Sequence, residues 1–575
     1  MFKFLCFCTA GFLLLSSAVL RGQASDGYTP ISLNDLSAFD APPQGWKLTP
    51  EIMMNPTNGT VMSTDKKGGG ILVGTTGQTI KTKAAMQDLR LRFDFMLSPG
   101  AQAAVVLPGN QRIVLADGPL TAAPGASTSG YTGQFPIMNA TKAPGLWQTI
   151  EIAYDASTTQ PNMARVNSIT LNGSRVQQGS YLPLSKTLTG KESIAFTVNK
   201  GTVAFRNIGY QELANRKPLT IENLTYKLYS DQWDTENPTK LDREGPAAAL
   251  TQEIAAGMKE FQLVFAGNMV VSEAGLYTFE VAESGPNTVL TVDGKVVMKL
   301  SGTTSQDKHT AQTQLSEGKH DFSLFYARFP WRAPALGVSV YKSGVRPYDL
   351  TALSSLPVPP PKPYIGVDPE NGTEMLRSFI QYQDEKAKRT HALSVGNPAG
   401  WHYTMDLNRG ALLQAWRGPF ADVTEMWYER GEPQLLETAG LTVLVSGKSS
   451  YAPLNDLSAA WPDSANLKYL GYRLNANGVP TLRYAFGNAT LADQFTADAQ
   501  GLTRKISIEG SGPSGMYALL GAGDAITMVE KGLYRIDDRY YVRVDKNARV
   551  TQRSSAGKQE LLLPLGGTTT YSLFW

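Results

Sequence analysis

From Asp88 to Phe95 the chain alternates charged and apolar residues without a break, with Leu89, Leu91, Phe93 and Phe95 on one side and Asp88, Arg90, Arg92 and Asp94 on the other. A period of two belongs to a β-strand with one face in a core and the other in water. The pattern therefore predicts that all four charged residues face outward. The same period returns over residues 147–154, 224–230, 275–281, 289–297, 480–486, 502–508 and 540–544. Turn pairs separate such runs. Asn172-Gly173 follows Ile169 to Leu171, Asp293-Gly294 divides 289–297, and Asn477-Gly478 lies between 470–474 and 480–486. Asn-Gly and Asp-Gly supply the left-handed backbone that tight hairpins need. No stretch sustains a helical period. The pattern predicts an all-β protein of three consecutive β-sandwich or jelly-roll modules.

At 575 residues the chain is too long for one core. The runs divide it into modules over 28–212, 219–348 and 364–575, with a Pro-rich linker over 349–363. The linker holds Pro357-Val-Pro-Pro-Pro-Lys-Pro363, a semi-rigid polyproline spacer. Residues 1–24 read as a signal peptide: Lys3, an apolar run from Phe4 to Leu20, and small residues at Gly22-Gln23-Ala24. The expected location is secreted or periplasmic. Both cysteines, Cys6 and Cys8, fall inside that segment and too early for a lipoprotein anchor. A processed chain would then have no disulfides, thiolate metal sites, attached haem or cysteine nucleophile. Charge is balanced, 53 basic against 50 acidic residues, which gives no basic patch for nucleic acid.

Four segments of the first module, DLRLRFDFMLSPG, NATKAPGLWQTIEI, ARVNSITLNG and VAFRNIGY, resemble the secreted 3-keto-disaccharide hydrolase-type domain, a concanavalin-like jelly roll. The resemblance implies hydrolysis of glycosidic bonds in oxidised disaccharides or related glycans. The chain departs from that family where polar residues are usual. Asn199 stands in place of a histidine, Gln102-Ala-Ala104 in place of an Asn-Ser-Gly run, and Arg112 and Val114 where Glu and Gln are common. An imidazole passes protons near neutral pH and an amide does not. The second module resembles the protective-antigen-type β-sandwich found on glycan-processing enzymes. That family's calcium-binding Asp-Asp pair is here Ser284-Gly-Pro-Asn287, so no carboxylate-rich calcium site is visible and no cofactor is expected. Phrases of the third module, such as YLGYRLNANGVPTLRY, resemble a β-rich domain attached to secreted bacterial cytochromes and sugar-dehydrogenase-like proteins.

The densest candidate chemistry lies between His391 and Gly431. This stretch holds Trp401, Trp416 and Trp427 of the nine tryptophans, His391 and His402 of the four histidines, and Asp406, Asp422, Glu425 and Glu429. Sugar C–H faces stack on indole rings while their hydroxyls take hydrogen bonds from planar polar groups. Trp401, Trp416, Trp427 and Trp331 (in Arg328-Phe-Pro-Trp-Arg332) are the candidate sugar platforms, with core packing as the alternative for each. Asp422, Glu425 and His402 are the weak candidates for acid–base catalysis, and spatial separation decides whether carboxylates can act as a pair. The two histidines lack metal-ligand spacing. His320 beside Asp321 reads as a solvated surface pair, since neighbours on a strand point to opposite faces. Near the end, Tyr571, Leu573 and Trp575 share one strand face and are expected to be buried. Two functional readings remain: an extracellular protein that hydrolyses glycosides, or a non-catalytic glycan-binding or cell-envelope scaffold protein. Carbohydrate, and with it cell-envelope components, is the expected partner.

Overall fold

The computed structural model describes residues 27–40, 45–63, 68–117, 136–156, 162–184, 188–230, 233, 238–303, 308–331, 333–355, 364–428, 434–511 and 515–575. The signal segment, the polyproline stretch and Glu429 lie outside them. Among the described residues the chain is nearly all β, with one four-residue α-turn at Thr424–Trp427 and two short 3-10 turns. Among the described residues no helix is long and apolar enough to cross a membrane.

The first third forms an eight-stranded sheet facing a four-stranded sheet. Strand Leu89–Leu97 lies inside the larger sheet, between Gln148–Asp155 and Thr202–Glu212. Leu89, Leu91, Phe93 and Phe95 are fully buried, as the alternation requires. Phe93 meets Phe196 of the opposite sheet edge-on, at 5.6 Å between ring centres. Asn172 and Gly173 take φ values of 51° and 83°, closing the predicted hairpin between Met163–Leu171 and Ser174–Pro183. Asp88 departs from the expectation: it is buried, not solvated. Its partner is remote in sequence. Arg346 Nη2 sits 2.9 Å from Asp88 and 3.0 Å from Asp155, one nitrogen shared between two carboxylates.

Arg346 belongs to the middle third, a six-stranded sheet facing a four-stranded one. Among the described residues its core draws on those between Leu219 and Leu350. The Asp293-Gly294 turn forms as read, with φ of 49° and 74°. His320 and Asp321 do point to opposite faces, but His320 is buried where a solvated position was expected. Its Nδ1 lies 2.6 Å from Asp293 Oδ2 on the turn, and Nε2 bonds Ser316 O at 2.9 Å. The turn carboxylate replaces water around the ring.

The last third packs sheets of five, eight and four strands with a small three-stranded one. Strand Thr568–Phe574 runs inside the eight-stranded sheet, paired with Gly501–Gly510 and Tyr540–Val544. Tyr571, Leu573 and Trp575 are buried as expected. Tyr571 Oη accepts from Arg504 Nη1 at 3.0 Å, and Arg504 is itself buried against Asp493 at 2.6 Å. The apolar core of this part is continuous with that of the first third. Tyr541 Oη donates to Pro144 O (3.0 Å), Lys142 Nζ to Asp538 O (2.9 Å) and Asn55 Nδ2 to Glu530 Oε2 (2.9 Å) across the seam. Gly145 sits there with φ 77°, and a Cβ on it would collide with Met54 O and Tyr541 Oη. Only glycine permits that approach.

Removal of residues 571–575 strips four buried side chains, Tyr571, Leu573, Phe574 and Trp575, and leaves the Arg504 guanidinium without one acceptor. Each large apolar group contributes about 1.5–3 kcal/mol, and an unsatisfied buried polar group costs about 1–3 kcal/mol. Limited proteolysis of the truncated protein is expected to cleave first within 364–575. An unchanged digestion pattern and melting curve would show that the strand is dispensable.

Candidate functional site

The aromatic stretch is distributed over four environments. Trp416, on strand Ala411–Arg417, is fully buried: its ring stacks on Phe420 with an interplanar angle of 2°, and Nε1 donates to Phe420 O at 2.7 Å. It presents no face to a ligand, so the packing alternative describes it. His402 lies beside it, buried and close to Trp416 and Phe420. The backbone N–H of Asn397 donates to Nδ1 at 3.0 Å and Nε2 donates to Gly418 O at 2.7 Å. Both nitrogens are thus engaged in holding two loops together. Burial pushes the imidazole below its ordinary pKa, with the Gly418 carbonyl opposing. Asp406 is also structural. It is buried and pairs with Arg389 at 2.8 Å, while Glu385 holds the same guanidinium at 2.6 Å. His391, on the same strand as Arg389, is exposed.

Asp422 and Glu425 lie three residues apart, at the start of a short helical turn. Asp422 Oδ1 accepts from Thr424 N at 2.9 Å and caps the Thr424–Trp427 turn, on which Glu425 sits. Asp422 faces Glu437 across two short strands and, with Tyr364 and Ile137, lines an open cleft of about 670 Å³ whose walls do not include Glu425. Burial and the charges of Asp422 and Asp368 raise the Tyr364 hydroxyl pKa. Trp427 is exposed and lines a smaller hollow of about 290 Å³ with Phe379, Met426 and Gln434. Among the described residues no three His, Cys, Asp or Glu side chains are grouped to hold a metal ion.

Trp401 occupies the seam between the first and last thirds. Its indole is only 5% exposed, set edge-to-face with Trp575 at 4.8 Å and carrying the Arg417 guanidinium 5.4 Å from its ring centre. All three residues line a cleft of about 610 Å³ whose other walls include Asp117, Asn139, Lys142 and Gln500. Little of Trp401 is exposed there. The cleft was not legible in the sequence, because its walls come from segments several hundred residues apart. The Trp416-Arg-Gly-Pro419 run, which places an arginine at a strand end, was its one local sign.

Trp331 is the most open of the candidate platforms, at 64% exposed. It follows strand Gly318–Arg328. Its ring stacks on Phe329 at 4.9 Å with a 29° tilt, and Trp233 meets it edge-on at 5.1 Å. Trp233 also packs on Phe329 at 5.4 Å. Three rings therefore brace one another, and one indole remains at the surface.

The four-stranded sheet of the first third carries Asn199, Gln102, Arg112 and Thr197. Asn199 and Gln102 are exposed near one end. Arg112 Nη2 donates to Thr197 Oγ1 at 3.3 Å, and Thr197 Oγ1 donates to Ala104 O at 3.2 Å. These groups bind one another, and none is a carboxylate or an imidazole.

Residues 34–210 match the family model of the 3-keto-alpha-glucoside-1,2-lyase-like domain, the 3-keto-disaccharide hydrolase domain. The matches among solved structures include two Parabacteroides distasonis proteins, each described as a candidate glycosyl hydrolase. One is 21% identical over 32% of this chain and 99% of its own, with a TM-score of 0.23. The other is 12% identical over 32% and 98%, with a TM-score of 0.19. An anti-sigma factor domain-containing protein from Clostridium clariflavum is 10% identical over 54% of this chain and 98% of its own, TM-score 0.20. No curated protein matches the chain.

The state of His402 makes a pH prediction. A histidine whose pKa is lower in the folded than in the unfolded protein contributes stability that is complete above the unfolded value, about 6.5. That stability is lost as pH falls toward the folded value, because the unfolded chain takes up the proton first. His320 has the opposite sign, since hydrogen bonding to Asp293 raises its pKa. His402→Gln is expected to lower the urea midpoint at pH 7.5 and to flatten its decline between pH 7.5 and 5.5 relative to the parent. A variant declining as steeply as the parent would remove His402 from the pH response.

Proposed function

We propose that this chain is an extracellular carbohydrate-binding protein in which the exposed Trp331 ring is a sugar platform. The single observation that carries the reading is that three-ring cluster. An indole held by Phe329 and Trp233 loses little conformational freedom when a pyranose stacks on it, which favours binding. The match of residues 34–210 to a sugar-processing domain family supports the carbohydrate class. On this reading residues 1–24 direct secretion, and 28–212, 219–348 and 364–575 are the jelly-roll, protective-antigen-like and C-terminal modules, joined through 349–363.

Binding without turnover is the version the side chains support. Asn199 offers no proton-transfer group, and Arg112 and Thr197 are bonded to each other on the same sheet. The family match also supports a second reading, in which the first module still cleaves a keto-glycoside.

A glycan array followed by titration calorimetry tests both. Trp331→Ala in the full chain is expected to weaken binding of the selected glycan by about 1–2 kcal/mol, with the melting temperature unchanged. Equal affinity in the variant would remove Trp331 from the site. Incubation of the full chain with 3-keto-glycosides is expected to give no product. Turnover abolished by Asn199→Ala would instead establish the hydrolase.

A further inference from the structure

We infer that the cleft between the first and last thirds of the chain binds the carboxylate of an acidic sugar, with Arg417 as its anchor. This rests on the carbohydrate reading but uses a site remote from Trp331. Arg417 is half-buried, and its Nη2 donates to Thr141 O at 2.6 Å. Trp401 lies beneath the guanidinium. Those two contacts fix the plane of the fork and leave four of its five N–H donors without a protein acceptor among the described residues. Asp117, on the same cleft, influences Arg417 through its charge but forms no ion pair with it. Its carboxylate accepts from Gly100 N at 3.0 Å instead. Lys142, the other cation on the wall, donates to two carbonyls, Trp147 O at 3.1 Å and Asp538 O at 2.9 Å.

A desolvated guanidinium without a carboxylate partner is costly to bury, and a planar anion that can take two parallel hydrogen bonds relieves that cost. The remaining lining specifies a sugar acid more than a small free anion. Asn139 and Gln500 offer amides to hydroxyls, Asp117 has acceptor capacity, and Trp401 and Phe574 supply apolar edges. A volume of about 610 Å³ falls within the range of pockets that enclose small ligands. The ligand class is a hexuronate within an oligosaccharide.

The test uses calorimetric titration of the full chain with three probes: a glucuronate-containing tetrasaccharide, the same tetrasaccharide with its carboxyls reduced to alcohols, and sodium acetate. The uronate is expected to bind, carboxyl reduction to weaken binding by at least about tenfold, and acetate to show no saturation. Arg417→Met is expected to abolish uronate binding and Arg417→Lys to weaken it about tenfold, since an ammonium lacks the fork. Gln500→Ala, on an exposed turn, is expected to weaken it severalfold and keeps the test decisive if either arginine variant misfolds. Equal binding of the reduced sugar, saturable binding of acetate alone, or an unaffected Arg417→Lys and Gln500→Ala pair would each overturn the inference. Neutral glycans that bind through Trp331 while the uronate ignores Arg417 defeat this inference alone. Absence of all glycan binding defeats the carbohydrate reading with it.

Discussion

The first and last thirds of this chain share one apolar core, and the rest of the structure is arranged around that closure. Their seam cannot be a simple apolar contact, because loops as well as strands meet there and their carbonyls must be satisfied away from water. Side chains from both sides do this. Tyr541, Lys142 and Arg417 each donate to a main-chain oxygen of the partner part. Gly145 lets the loop before strand Gln148–Asp155 reach close enough for Tyr541 to complete its bond. Arg206 joins the seam on both counts: its guanidinium lies 4.0 Å from the Trp147 ring centre and 3.6 Å from Asp538. The association is therefore fixed in angle by polar contacts and held by apolar burial.

That closure also creates the concave ground of the molecule. The clefts beside Arg417 and Asp422 both have walls from the first and last thirds. Arg417 has two consequences at once: one donor holds the seam, and the others line its opening. The aromatic platform at Trp331 is independent of this arrangement, since the middle sandwich has its own core. If both proposed surfaces bind glycan, two of them on one chain suit a polymer more than a small solute, because simultaneous contacts raise effective concentration.

What could be read in advance followed the range over which each interaction acts. Alternation placed Leu89, Leu91, Phe93 and Phe95 in a core, and Asn172-Gly173 and Asp293-Gly294 at turns, because strand faces and hairpins are decided by neighbouring residues. Asp88 broke the same alternation because its stabilising charge, Arg346, arrives from another sandwich. His320 was drawn inward by Asp293 across a turn. The four tryptophans show the limit of composition. Trp331 and Trp427 reach solvent, whereas Trp416 is sealed by Phe420 and Trp401 by Trp575. Nothing within a few residues of Trp401 announces that the end of the chain will cover it. The buried Arg504–Asp493 pair was likewise invisible, although the two lie on strands joined by a tight turn, because alternation there reads equally well as a solvated charge ladder.

The middle sandwich begins and ends almost at the same point. Ala214 forms a parallel bridge with Val345, its N–H bonding Gly344 O at 2.9 Å and its carbonyl accepting from Arg346 N at 3.1 Å. A chain that leaves and returns through adjacent backbone bonds makes a pendant loop. Tension applied between the first and last parts would run through their shared core and through this bridge before it reached the strands between Leu219 and Val340. The bridge and its Arg346 clasp would act as a mechanical shunt, keeping the sandwich that carries Trp331 slack while the outer parts bear the load.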